Sequence, residues 1–405
     1  MEPAADAATL ITQYLLLGLR FDRIEPGYVD AFTGDPALRR AVAAEPMPDP
    51  AALAREAQRL AAALPAGLDT ARADYLAAHL RALACSARKF AGADIGFVDE
   101  VHDYFDVRIT KGDPDRYRQA HRRLNELVGG AGPLIGRMRA HRGAEEIPPD
   151  RLEECIQAFS SALRDRVRAE YPLPDAETVT YQVVTDKPWS GFNYYQGDYR
   201  STVAVNADVR QQLSNLPRLV AHESYPGHHT EHCRKEAGLV HRDGQAEQTI
   251  FLVNTPQCLM AEGLADLALY AAIGPRWGGW AADIYADLGL RFDGERAEAV
   301  AEASAALADV RQDAALMLHD EHRDADDVAA FLQRWLLVDD ARARQQLRFL
   351  SSPLWRAYTS TYVEGYRLLR TWLDDSPPGV SRTERFTRLL DEPLIPSLLR
   401  AELAG

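Results

Sequence analysis

The sequence predicts a mainly α-helical fold with one small β-sheet, and three observations lead there. Apolar residues recur at helical spacing between recognisable caps over most of the chain. Only one stretch, residues 176 to 206, has the composition of strands. No fixed-period repeat or long low-complexity linker interrupts the pattern. The 405 residues, 46% of them hydrophobic, are ample for a sizeable core.

The first element is "LITQYLLLGL" within "MEPAADAATLITQYLLLGLRFDRIEP". Polar residues interrupt it, it is too short to cross a bilayer, and it lacks the features of a secretory leader. It reads as an amphipathic helix. "DPAALAREAQRLAAALPAG" starts after an Asp cap and stops at Pro-Ala-Gly. "TARADYLAAHLRALACSARKFAG", "PDRYRQAHRRLNELVGG" and "PPDRLEECIQAFSSALRDRVRAEY" obey the same rules. Then "ETVTYQVVTDKPWSGFNYYQGDYRSTVAVNAD", rich in Val, Thr and Tyr and broken by Pro and Gly, predicts strands and a hairpin. Helices return at about 215–237, 256–272, 293–318, 325–337, 340–349 and 353–374, and "SRTERFTRLLDE" with "PSLLRAELAG" closes the chain. Residues 1–170 are thus expected to form a helical N-terminal region. Residues 171–405 would form a metal-binding catalytic region, the two making one continuous body.

The net charge is −14, from 60 acidic and 46 basic residues. That balance repels phosphate backbones and excludes nucleic acid as a partner, and no segment suits a membrane. Cys85, Cys155, Cys233 and Cys258 lie far apart with no CxxC pair. No disulfide framework is expected, and a reducing cytoplasm fits.

Chemistry concentrates in "HESYPGHHTEH", residues 222–232, which holds four of the eleven histidines. It opens like the zinc-peptidase motif HExxH, in which positions i and i+4 of a helix offer two imidazoles to one ion. Here Pro226 stands at i+4, and His228 at i+6 lies roughly 120° away around an unbroken helix. Pro226, however, has no N–H to give the His222 carbonyl and crowds it, while Gly227 takes dihedrals closed to other residues. The pair predicts a bulge or break that returns His228 to the face of His222. His229 fills that place if the helix resumes differently, and His228 with His232 makes a second i, i+4 pair. A histidine-rich, solvated turn is the alternative reading, but Glu223 stands where a general base is expected beside a first ligand.

A catalytic zinc needs a third protein ligand. "TPQCLMAEGLADLALY" carries Glu262 and Asp266 one turn apart among Leu259, Met260, Leu264 and Leu267. A carboxylate in such company is costly unless paired, so Glu262 suits a metal and Asp266 suits orienting a ligand histidine. Read alone, both equally fit a solvated stripe.

"HESYPGHH" followed by "AEGLADLAL" resembles the bacterial family known as domain of unknown function 885, whose signature is HExxPGHH and an EGWA-like helix. That family is similar to the mostly helical gluzincin zinc peptidases. The resemblance implies His222, His228 and Glu262 as ligands of one zinc ion, Glu223 as the base, and a gluzincin-like catalytic region with the sheet beside the metal helix. It spans roughly residues 95 to 375. Arg311, His319, Arg348, Pro353, Tyr362 and Gly365 match further motifs; Leu264 replaces a tryptophan, Ala315 replaces an acid, and three extra residues separate Pro353 from Tyr362.

By this likeness Tyr362 would donate to the developing oxyanion, although Tyr358 and Tyr366 at helical spacing equally suit a packing stripe. His229 would sit behind the ligands with Asp266. "STVAVNAD" would supply an edge strand for an extended substrate, with Asn206 near its end, and Arg348 would bind a substrate carboxylate. The expected activity is zinc-dependent cleavage of short peptides, with Glu223 assisting the attack of water. A hydrolase of another amide or ester, and an inactive helical scaffold, are the competing readings.

Overall fold

A computed structural model describes residues 7–64, 68–187 and 189–405. The Pro-Ala-Gly expected to end the second helix lies outside the described residues. The N-terminal part runs α1 (Ala7–Ile24), β1 (Val29–Phe32), α2 (Pro36–Ala44), α3 (Pro50–Ala62), α4 (Thr70–Phe90), α5 (Phe97–Phe105), α6 (Pro114–Val128), α7 (Leu134–Ala144) and α8 (Leu152–Glu170). Asp35, Asp49, Asp69 and Asp113 accept hydrogen bonds from the first backbone N–H groups of α2, α3, α4 and α6. Three of them precede a proline, which loses nothing at a helix start because its missing N–H would have no partner there.

Then come β2 (Thr178–Val184), β3 (Gly191–Gly197), β4 (Arg200–Asn206), α9 (Leu216–Glu223) and α10 (His228–Lys235). After a π-helical turn at Glu236–Arg242 follow β5 (Ile250–Leu252), α11 (Pro256–Ile273), α12 (Trp277–Asp287), α13 (Gly294–Ala305) and α14 (Asp309–His319). The chain ends with α15 (Ala325–Leu336), α16 (Asp340–Ser351), α17 (Thr359–Asp374), α18 (Arg382–Asp391) and α19 (Pro396–Ala404). The mainly helical class is as expected.

Two details of the strand prediction change. The main sheet has the order β2-β4-β3, with β4 parallel to β2 and antiparallel to β3. β4 is therefore central, and the expectation that "STVAVNAD" offers a free edge is corrected; the edge nearest α9 is β3. There is also a second sheet, in which β1 pairs antiparallel with β5. Strands of four and three residues are too short to show alternation, and their partners are distant in the chain. The predicted 293–318 helix is also two helices, α13 and α14.

α11 is the central post, buried on nearly every face. It carries no amphipathic stripe because other elements surround it. α17 packs directly on it at paired glycines: a Cβ on Gly263 would stand 2.6 Å from the Gly365 carbonyl carbon. The principal apolar core runs from α4 to α19 around this pair. A second cluster joins α1, α3, α4, β1 and β5 to Leu354 and Ile395. All four cysteines are buried and free. Among the described residues no single helix is long and apolar enough to cross a membrane.

Candidate metal centre

The expected break occurs at Ser224–Gly227. α9 ends at Glu223, α10 starts at His228, and the Tyr225–Pro226 peptide between them is cis. Gly227 turns the chain tightly enough that its N–H donates to the Ala221 carbonyl at 3.0 Å. A Cβ there would overlap the carbonyls of both His222 and Ala221, so only glycine fits this approach. The Ser224 carbonyl accepts from the N–H and hydroxyl of Thr230 at 3.2 and 3.1 Å, tying the turn to α10.

The turn brings the His222 and His228 rings to 4.7 Å, perpendicular to one another. Glu262 of α11 reaches both: its Oε2 lies 3.3 Å from His222 Nε2 and 3.9 Å from His228 Nε2. One donor atom from each of the three residues lies within 4.8 Å of the others. Bonds of about 2.0–2.1 Å at tetrahedral angles separate ligand atoms by roughly 3.3–3.4 Å, close to the His222–Glu262 spacing.

The surroundings orient this set. His222 Nδ1 donates to Asp266 Oδ1 at 3.1 Å, which fixes the ring with Nε2 directed at Glu262. Tyr358 donates to Glu262 Oε1 at 2.7 Å. Glu262 Oε2, buried and aimed at the two imidazoles, has no hydrogen-bond partner among the described residues. A buried carboxylate oxygen left bare is expensive, and a cation answers that cost. The donor set therefore fits a metal ion. Burial depresses the His222 pKa, but Asp266, Glu262 and Glu223 overcome it and raise the value well above the ordinary range. The site thus favours positive charge.

Glu223 is buried, its carboxylate facing Gly191 at the start of β3, where a Cβ would stand 3.2 Å from Oε1. Its backbone carbonyl accepts from the Asn193 side chain at 2.6 Å, pinning the end of α9 to the sheet. Burial raises its pKa, partly offset by His222 and His228. Tyr362 is half-buried, with its ring 5.7 Å from that of Tyr358.

Other expected residues lie elsewhere. His229, placed by sequence behind the ligands, is wholly buried on the opposite side of the turn. Its Nε2 donates to Glu177 at 3.1 Å and its Nδ1 accepts from Ser201 at 2.8 Å. Successive residues at a helix start point about 100° apart, so His228 and His229 cannot serve one site. His232 stacks on Tyr195. The Asn206 amide is consumed locally: it donates to the Lys187 and Trp189 carbonyls, and its oxygen accepts from the Asp208 N–H. Its amide holds Lys187 and Trp189, which lie between β2 and β3, in place of the expected contact with substrate. Arg348 is exposed on α16, and no hydrogen bond or ion pair ties it to the centre among the described residues.

Two further residues, Asp30 and Arg311, lie within electrostatic reach of the site. Asp30 is the extra residue of a β-bulge in β1, between Val29 and Ala31, and the bulge re-aims its side chain. It is exposed, yet its carboxyl is pushed up to about 7 by surrounding protein, then by Glu262 and Glu223. Arg311 of α14 has the same character, exposed yet desolvated, and it feels Asp266 and Tyr362. No local signal marks Asp30, whose importance arises from pairing with a strand over two hundred residues away.

No family model matches the chain, and no curated protein does. Among solved structures it is similar to the "putative lipoprotein" of Colwellia psychrerythraea, with TM-score 0.53 and 13% identity, covering 86% of this chain and 65% of that one. It is similar to a "putative lipoprotein of unknown function" from Shewanella oneidensis, with TM-score 0.53 and 13% identity, covering 91% and 76%. The M32 carboxypeptidase of Deinococcus radiodurans R1 aligns with TM-score 0.41 and 12% identity over 94% and 88% of the chains. The first two share the fold; the third likeness is too slight to argue from. The chain spans 65% of the Colwellia protein's length.

Proposed function

We propose that this chain is a zinc-dependent hydrolase that cleaves short peptides. The observation that carries the reading is the bare, buried Glu262 oxygen facing His222 and His228, with the Glu223 carboxylate beside them. The resemblance of HESYPGHH and its following helix to the domain of unknown function 885 family supports the same assignment.

His222, His228 and Glu262 would hold the ion, which when bound supplies Lewis acidity toward water and a substrate carbonyl. The rest of the chemistry belongs to the chain. Glu223, raised in pKa by burial yet flanked by two imidazoles, takes a proton from the attacking water and returns it to the leaving nitrogen. Tyr358, raised well above its ordinary pKa by burial and by Glu262, keeps its proton and steadies Glu262. Tyr362, raised by burial and by Glu262, Asp266 and Glu223, also stays protonated and is the donor for charge developing on the carbonyl oxygen. The β3 edge beside Glu223 suits an extended backbone. We place the protein in the cytoplasm because its cysteines are buried and free; the lipoprotein names of two structural neighbours make cell fractionation the check.

The test is a peptide library digested by the zinc-loaded protein and by Glu223→Gln. Cleavage that falls at least about a hundredfold in a variant retaining full zinc supports the reading. An intact library, with zinc bound at His222, His228 and Glu262, would redirect it to another amide or ester.

A further inference from the structure

A second cavity lies one turn of α10 beyond the metal ligands. Its volume is about 30 Å³, and its walls come from α10, the π-helical turn, β3 and the β1–β5 sheet. His232 belongs to this wall and follows the ligand His228 by four residues, about 6 Å along the helix axis. Its ring stacks on Tyr195 at 4.5 Å and leans on Phe251 at 5.7 Å, so the cavity has aromatic sides. Tyr195, His232 and Lys235 are half-buried, which leaves the cavity a mouth.

Two polar atoms of residues in this wall are buried without a partner. Glu231 is 2% exposed, and its Oε2 accepts no hydrogen bond among the described residues. The Nε2 of Gln248, just before β5, donates none. Neighbouring groups are already committed. Glu231 Oε1 accepts from Lys235 Nζ at 2.7 Å, so that pair is neutral as a unit. Glu236 accepts from the Tyr195 hydroxyl and from the Asp198 and Tyr199 N–H groups at 3.1 and 3.2 Å, so it builds the wall with both oxygens spent.

The unpaired atoms define the ligand. Glu231 Oε2 needs a donor, whereas Gln248 Nε2 and the remaining N–H groups of Lys235 need an acceptor. An ammonium group supplies donors alone, meets the Lys235 charge and leaves Gln248 bare. A carboxylate supplies acceptors alone and repels Glu231. An aliphatic group leaves every atom bare. A primary carboxamide offers N–H and C=O from one planar head, and that small head suits a cavity with room for roughly two or three water-sized groups. Gly191 of β3 faces the Glu223 carboxylate, and Tyr195, four residues on, reaches this cavity. A strand covers about 13 Å in four residues, so a peptide extended along β3 passes from the metal centre to the cavity within a few residues.

We propose that this cavity is a specificity subsite for the carboxamide of a glutamine or asparagine side chain near the cleaved bond, Glu231 accepting from its N–H and Gln248 and Lys235 donating to its oxygen. The inference rests on the peptidase reading for the peptide but not for the carboxamide.

The test uses alanine pentapeptides carrying Gln, Asn, Glu, Lys or Met at each position in turn. Binding is read by calorimetry on zinc-loaded Glu223→Gln protein, alone and with Gln248→Met, Glu231→Gln or Gln248→Glu added; cleavage is read on protein with Glu223 intact. Gln248→Met keeps the side-chain length and removes a donor that bonds nothing, and thermal midpoint and zinc content verify that each variant is folded. At one position Gln or Asn is expected to bind about 10–100-fold more tightly than Glu, Lys or Met. Gln248→Met and Glu231→Gln should bring that ratio toward one, and Gln248→Glu should move the preference to Lys. Peptides cleaved without preference for a carboxamide overturn the subsite, leaving water as the cavity's occupant and the peptidase reading intact. A carboxamide preference untouched by these substitutions also overturns the assignment to this cavity. Preference that depends on Gln248, with no peptide cleaved, upholds the subsite and removes the peptidase reading. Absence of both binding and cleavage overturns both.

Discussion

At the scale of single residues, the centre depends on one oxygen atom and the groups that aim at it. Glu262 Oε2 has no hydrogen-bond partner among the described residues, with His222 Nε2 at 3.3 Å and His228 Nε2 at 3.9 Å from it. Asp266 holds His222 Nδ1 at 3.1 Å, which keeps Nε2 directed at Glu262. Asp266→Asn is therefore expected to weaken zinc binding by about 10–100-fold without unfolding the protein, as measured by competition with a chelating dye. Unchanged affinity would mean that His222 is oriented by packing alone. The histidines and Glu262 were legible in the sequence because their types and spacing are those metal chemistry requires. Asn206 and Arg348 misled for a common reason: an amide or guanidinium at a strand or helix end looks available until its backbone neighbours are known.

At the scale of elements, the decisive feature is the break between α9 and α10. Pro226 and Gly227 act on the carbonyls one turn before them, an interaction confined to a few residues, and it was readable for that reason. Gly227→Ala would force a Cβ into the His222 and Ala221 carbonyls. The expected cost is about 1–3 kcal/mol of stability, with zinc affinity falling at least about tenfold as the imidazoles part. Urea unfolding and zinc titration of the same variant measure both. A variant that binds zinc normally would show that the turn has slack the contacts do not suggest. The sheet was less legible: composition located the strands but not which one lies in the middle, because a parallel β2–β4 pair and an antiparallel β3–β4 pair demand the same residue types.

At the scale of the whole molecule, the metal turn is held from behind by a buried ionic knot. Glu177 accepts from Arg164 at 2.7 Å, Arg168 at 2.9 Å, Tyr225 at 2.7 Å and His229 at 3.1 Å. These join α8, the metal turn and α10 to the residue that precedes β2. Burial alone would raise the Glu177 pKa, but His229, Tyr225 and Arg164 bring it down to about 2 from 4.5. A folded-state value below the unfolded one stabilises fully above about pH 4.5 and is lost as pH falls toward 2. The contribution is on the order of 3 kcal/mol. Denaturant unfolding across that window should show stability dropping with acid. Glu177→Gln should flatten the drop and cost about 3–5 kcal/mol at neutral pH by leaving buried partners unpaired. An identical pH slope in the variant would assign the acid sensitivity to other carboxylates.

The sequence by itself determined the helical class, the capped helix starts, the proline–glycine break and the kinds of donor atoms gathered around it. Helical periodicity, capping and proline sterics all act within about four residues, so they are written wherever the residues are written. Only the tertiary structure decided that β4 is central, that His229 turns away to Glu177, that a bulge brings Asp30 within electrostatic reach of Glu262 and Glu223, and that Arg348 stays on the surface. Each of those outcomes depends on which distant segment returns to pack there, a contest of burial and pairing that no local pattern records.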